Sequence, residues 1–199
     1  MDNAVAAPVL PDVTDLVIWA RKGDHAAYSK LVERYKDSLY RLAVRILGRP
    51  ADAEDAVQEA FIKAYIQLDS YRSEYSFYTW VSTILTNTCY SALRARDWHV
   101  GSAPNQLLEG LRSVDAFGDP EAAALLRSRD EILQRALHAL PEKYSRILLL
   151  RYWSDLSYQE VAEATDQSMG AVKTQIRRAT LLLRDLLAGG HMDPALETS

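Results

Sequence analysis

A single cysteine, Cys89, occurs in the 199 residues. That excludes an intrachain disulfide and any metal site built from several thiolates, and it suits a reducing cytoplasm. Such a cysteine reads as a small buried hydrophobe. Positive charge is also scarce: 23 lysines and arginines face 27 acids, for a net charge of -4 and a pI near 5.6. Indiscriminate coating of nucleic acid needs many cations against phosphates, so any DNA binding must be local. No apolar run approaches membrane-spanning length, and the opening MDNAVAAPVLPDVTD has no basic segment followed by an apolar core. The expectation is a cytoplasmic protein without direct membrane insertion. His25, His99, His138 and His191 lie scattered without metal-ligand spacing, and the carboxylates have capping or surface roles, so a helical hydrolase or metalloenzyme finds no site here. We expect no enzyme, no metal and no cofactor. Alternating strand patterns, internal repeats and low-complexity tracts are missing too.

What is present is helical periodicity. With 48% hydrophobic residues the chain can bury one moderate core or two small ones. Leu16, Trp19 and Ala20 form one inward group, and Tyr28, Leu31, Tyr35, Leu39, Leu42 and Ile46 a longer stripe. Gly23 suits the left-handed residue that ends the first helix, and Asp24 can cap the second. After Gly48 and Pro50, a third helix starts at Asp52 with Val57, Phe61, Ala64 and Leu68 inward; beyond the loop DSYRSEYS a fourth runs from Phe77 to about Leu93. From His99 the pattern lapses, then resumes at Glu121 through Leu125, Ile132, Leu133, Leu137 and Leu140, with Pro141 opening the next helix. The expected architecture is all-α: a flexible N-terminus (1–12), a four-helix unit (13–98), a flexible linker (99–120), a second helical unit (121–188) and a flexible tail (189–199).

The segment LSYQEVAEATDQSMGAVKTQIRRA has the pattern of a helix-turn-helix over residues 157–178. Ser157 and Glu160 match a capping box, Asp166 takes the turn, and Ser168 caps a second helix that buries Val172, Ile176, Ala179 and Leu183. That stripe leaves Ser168, Gly170, Lys173, Thr174, Arg177 and Arg178 outward, with no carboxylate before Asp185. A helix small at its start and basic along one face can enter a major groove, its first turn meeting base edges. The competing reading is a plain amphipathic hairpin, but cap, short helix, turn and basic helix coincide in register.

In the first unit, Asp52, Glu54 and Asp55 suit the positive end of the third helix. Gln58 and Glu59 carry the polar face past the first turn, where a solvated face and a protein interface read equally well. The stretch LDSYRSEYSFYTWVSTILTNTCYSALRARD concentrates Tyr71, Tyr75, Phe77, Tyr78, Trp80 and Tyr90 beside Arg72, Asn87, Arg94 and Arg96. Aromatic faces can receive an unstacked base while arginines track a single strand. Phe77 and Trp80 match the inward stripe, whereas Tyr71 and Tyr75, in a loop, have less reason to be buried.

These segments, with LPEKYSRILLLRYW before the helix-turn-helix, resemble regions 2 and 4 of extracytoplasmic-function sigma factors from about Asp15 to Leu187. The resemblance implies a transcription initiation factor that joins core RNA polymerase through its clamp coiled coil and flap. Asp52, Asp55, Gln58 and Glu59 become candidate core contacts. Tyr71, Arg72, Tyr75, Tyr78, Asn87 and Arg94 become candidates for the melted downstream (-10) element, and the outward residues of 157–178 for the double-stranded upstream (-35) element. An anti-sigma factor is a further implied partner. Family members often carry arginine at the place of Tyr78, basic or acidic residues near Ser82, Thr83, Thr86 and Ser91, and glycine at the place of Asp166. A helix-turn-helix regulator that never joins polymerase would explain the second unit but leave the acidic helix and aromatic loop of the first idle.

Overall fold

The computed structural model describes residues 12–99 and 120–189; apart from residues 12, 99, 120 and 189, the expected N-terminal segment, linker and tail lie outside it, as does the side chain of Leu125. Among the described residues the chain is helical throughout. The first unit comprises α1 (Val13–Arg21), α2 (His25–Leu47), α3 (Pro50–Ile66), a 3₁₀ turn (Leu68–Ser70) and α4 (Phe77–His99). The second comprises α5 (Pro120–Ala139), α6 (Glu142–Tyr152), α7 (Tyr158–Ala164) and α8 (Met169–Leu187).

The punctuation follows local chemistry. Gly23 turns left-handed at φ 91°, and the Asp24 carboxylate accepts from the Ala26 and Ala27 amides at 2.9 and 3.1 Å. Gly48, at φ 72°, ends α2. Helix α3 begins at Pro50, two residues before the expected Asp52, because a proline at the first helical position has no N–H to leave unpaired. The first core joins Leu31, Leu39, Leu42 and Ile46 of α2 to Val57, Phe61 and Ala64 of α3 and Phe77, Leu85 and Cys89 of α4. Burial pushes the Cys89 thiol up to about 12, so it stays protonated and inert.

Two expectations about α1 and α5 are corrected. Trp19 is 42% exposed, and Leu16, Val17 and Ala20 form the inner strip instead. At 3.6 residues per turn Trp19 lies roughly 100° from the centre of that strip. Ile132 is exposed for the same reason, since it sits nearly opposite the buried Gln134 on α5. The second core gathers Leu137, Tyr144, Ile147, Leu148, Leu156, Val161, Val172, Ile176 and Ala179, with Leu183 half-buried at its edge.

Candidate nucleic-acid interface

The helix-turn-helix forms as its local signals dictate. Ser157 accepts from the Glu160 amide at 3.2 Å while Glu160 accepts from the Ser157 amide at 2.7 Å, a reciprocal cap that starts α7. Asp166 takes the turn at φ 52°, and Ser168 caps α8 by accepting from the Ala171 amide at 3.2 Å. With Val172, Ile176 and Ala179 buried, Lys173, Thr174, Arg177 and Arg178 all stand in solvent. The Thr174 hydroxyl donates to the Gly170 carbonyl at 3.0 Å, and Lys173 leans toward the Tyr158 ring at 6.0 Å. Among the described residues none of these cations is in an ion pair. An exposed basic face on a helix of 19 residues has the charge and the length to lie against phosphates.

Gly170 yields a discriminating test. A β-carbon placed there would meet nothing within 4 Å, so packing does not require glycine. Gly170→Ala is therefore expected to leave thermal stability equal or up to about 1 kcal/mol higher, since glycine is costly in a helix. If the first turn of α8 approaches a base edge, the same methyl weakens protection of an upstream duplex in footprinting. A variant with wild-type protection would place Gly170 away from DNA.

In the first unit α3 sorts its acids. Asp52 turns inward toward Arg96 of α4 at 3.7 Å and Arg49 at 3.9 Å. Asp55, Gln58 and Glu59 share one exposed face, with Glu59 paired to Lys63 at 2.6 Å. Ile62 and Ile66 extend that face, 61% and 75% exposed. Their signal in the sequence is two isoleucines four apart, off the inward stripe.

The aromatic loop divides differently from expectation. Tyr71 is 9% exposed; its ring packs 5.6 Å from Phe77 and 5.4 Å from Trp80, and its hydroxyl donates to the Tyr75 carbonyl at 2.7 Å. Tyr71 is therefore a packing residue and has no face left for a base. The cause is Arg21, whose guanidinium donates to the Leu68 carbonyl at 3.0 and 3.1 Å and also to the Tyr71 carbonyl, pinning the loop against α1. Arg72 is exposed and Tyr75 partly so, while half-buried Tyr78 stacks 5.9 Å from Tyr35. A hydrogen bond donated to Glu163 of α7 pushes the Tyr75 phenol up to about 12, with desolvation adding to it. Asn87 and Arg94 are exposed on α4; Asn87 accepts from Arg146, and Arg94 pairs with Glu142 at 2.6 Å. Ser82 and Thr86 are fully buried and spend their hydroxyls on the Thr79 and Ser82 carbonyls. Charged side chains at those two places would need a different packing of α4.

Residues 31–99 match the family described as Sigma-70 region 2, and residues 130–183 match Sigma-70, region 4. The ECF RNA polymerase sigma factor SigW of Bacillus subtilis is 35% identical over 172 residues, which is 84% of this chain and 92% of that protein. This chain belongs to the ECF sigma factors. The Escherichia coli ECF RNA polymerase sigma-E factor is 35% identical over 174 residues, 84% of this chain and 91% of its own length. Among solved structures, CnrH in complex with the cytosolic domain of CnrY superposes with a TM-score of 0.64 at 25% identity, covering 90% of this chain and all of that one. RpoE of Bartonella quintana, solved with the anti-sigma factor NepR, has the same fold, with a TM-score of 0.61 at 24% identity over 81% of this chain and 96% of its own. As an ECF sigma factor the protein is a transcription initiation factor and not an enzyme: it binds core RNA polymerase and directs it to promoters. Synthesis of RNA belongs to the polymerase. No described helix of this sigma factor is long and apolar enough to cross a membrane.

Proposed function

We propose that this sigma factor divides its work among three faces. The unit 13–98 docks on core polymerase through the outer side of α3, using Asp55, Gln58 and Glu59 together with Ile62 and Ile66. The same unit takes the melted -10 strand along Arg72, Tyr75, Tyr78, Asn87 and Arg94. The unit 121–188 reads the duplex -35 element with Ser168, Gly170, Lys173, Thr174, Arg177 and Arg178, and the linker 99–120 spans the two. Asp52 serves the first unit's own fold, and Tyr71 its loop. The protein works in the cytoplasm, beside the polymerase, and is held in check by an anti-sigma partner, much as CnrH was solved bound to CnrY.

The observation carrying this reading is that one chain holds both an unpaired basic helix face and an acidic face that continues into two exposed isoleucines. DNA repels the second face, so a regulator acting on DNA alone has no use for it. The test is capture of core polymerase by the purified protein, followed by transcription from a promoter selected with the holoenzyme. Within that assay Arg177→Ala should cost about 1–3 kcal/mol of promoter binding if it meets a base, and less, with a shallower salt slope, if it meets phosphate. A protein that binds promoter DNA alone and ignores core polymerase would sink the assignment.

A further inference from the structure

The aromatic loop 71–76 carries Arg72 and Tyr75, both assigned above to the melted strand, yet the residue that holds this loop lies on α1. Arg21, in the last turn of that helix, donates from Nε and Nη2 to the Leu68 carbonyl at 3.1 and 3.0 Å, and Nη2 reaches the Tyr71 carbonyl as well. Its guanidinium also stands 5.9 Å from the centroid of the Tyr71 ring. From Tyr71 the chain of contacts runs on. The Tyr71 hydroxyl donates to the Tyr75 carbonyl at 2.7 Å, and the Tyr75 amide donates to the Arg72 carbonyl at 3.3 Å. Past Tyr75, Ser76 caps α4 by accepting from the Thr79 amide at 3.0 Å. Arg72, Ser73 and Glu74 are left with exposed side chains on a loop whose two ends are tied.

Arg21 has the chemistry of a clamp and not of a surface charge. Among the described residues it enters no ion pair, and it spends its donors on backbone carbonyls at the entry to one loop. A guanidinium can hold two carbonyls because its N–H groups form a planar fork, whereas a lysine ammonium is a single point of charge and does not reproduce that fork. We infer that Arg21 is a positioning residue for promoter opening: without meeting DNA, it holds the Tyr71 backbone and ring and so fixes where Arg72 and Tyr75 wait for the unpaired strand. The inference rests on the strand reading of Arg72 and Tyr75, and it adds α1 to the machinery that serves that reading. The physical gain is preorganisation. Ordering a loop costs backbone entropy, and a loop already ordered in the free protein does not subtract that cost from strand capture.

Arg21 is exposed, so replacing it leaves the apolar core in place. In Arg21→Ala, hydrogen exchange at the amides of 71–76 should quicken while the core helices α2 to α4 keep wild-type protection. In the holoenzyme, permanganate reactivity of promoter thymines should fall roughly tenfold, as expected when the competent loop becomes a minor state. Assembly with core polymerase and footprinting of the upstream duplex should not change, whereas a residue needed only for folding would lower all three together. Arg21→Lys, which keeps the charge and loses the fork, should fall between the wild type and Arg21→Ala. Coupling to Tyr75 is the decisive arm: in a Tyr75→Ala background, Arg21→Ala should reduce opening by a smaller factor than in the wild type, because a residue it positions is gone. Normal opening by either Arg21 variant, an equal loss of assembly and opening, or an undiminished extra loss in the Tyr75→Ala background overturns the inference. If Tyr75→Ala and Arg72→Ala themselves open promoters normally, the strand reading of the loop falls and the inference with it. A defect in those two with none in Arg21→Ala sinks the inference alone.

Discussion

Asp55→Lys combined with Glu59→Lys should abolish assembly with core polymerase while the protein stays helical. Both side chains are exposed on α3, and the inner residues Val57, Phe61 and Ala64 belong to the buried core, so the substitutions leave the packing alone. Within the fold the losses are small. Glu59 gives up one exposed pair with Lys63, and exposed pairs contribute about 0–1 kcal/mol. Asp55 lies in the second turn of α3, beyond the first turn in which the helix dipole favours a negative charge, so its loss costs the fold little. Against a basic surface on the partner the change turns attraction into repulsion, and like charges juxtaposed at an interface cost several kcal/mol, which is a hundredfold or more in affinity. The exposed isoleucines give a second handle. Ile62→Asp with Ile66→Asp should weaken assembly without disturbing the fold, because neither side chain is buried in the free protein. Circular dichroism checks the fold, and native gel titration of core polymerase checks assembly. Undiminished assembly by both folded double variants would make this side of α3 a solvated face.

Tyr71→Ala and Tyr75→Ala should separate cleanly although the residues are four apart. Tyr71 fills the space between Phe77 and Trp80 and ties its hydroxyl to the Tyr75 carbonyl, so truncation leaves a cavity beside two aromatic rings. Loss of a buried aromatic costs about 3–5 kcal/mol, a large share of the stability of a small helical unit, and Tm should fall accordingly. Tyr71→Phe keeps the ring and should lose only about 1 kcal/mol for the hydrogen bond. Tyr75→Ala keeps the carbonyl that Tyr71 uses, so its effect on stability should stay within about 1 kcal/mol. Its effect should fall instead on promoter opening, at roughly 1–3 kcal/mol for one lost base contact. Permanganate reactivity of promoter thymines reports the opening. Should Tyr71→Ala melt at the wild-type temperature, the loop is not held as the structure has it.

Much of the molecule was legible from one-dimensional pattern, because the signals involved are local. Capping boxes, left-handed glycines and a helix-opening proline act within four residues of themselves. The breaks at Gly23, Gly48 and Asp166 and the caps at Asp24, Ser157 and Ser168 were therefore available before any coordinates. The outward set on α8 was legible for the same reason: a strict apolar stripe leaves the remaining directions to solvent. The exposure of Asp55, Gln58 and Glu59 on α3 followed from helical spacing, whereas the pairing of Asp52 with Arg96 did not.

What the sequence could not determine is which exposed-looking positions another element would cover. Tyr71 lies in a polar loop and reads as exposed until Arg21, 50 residues earlier, ties that loop down. Trp19 and Ile132 match a helical stripe in spacing, but which strip of a short helix is buried depends on how the neighbouring helix crosses it. The contacts of Asn87 with Arg146 and of Tyr90 with Ser145 span 59 and 55 residues. Periodicity carries no information at that range. Residue type and spacing thus determined the helices, the exposed basic face of α8 and the acidic face of α3. Only the packing of one unit on the other decided that Asn87, Tyr90 and Arg94 of α4 have partners on α6, because a hydrogen bond between distant helices depends on their relative placement and leaves no trace in local sequence.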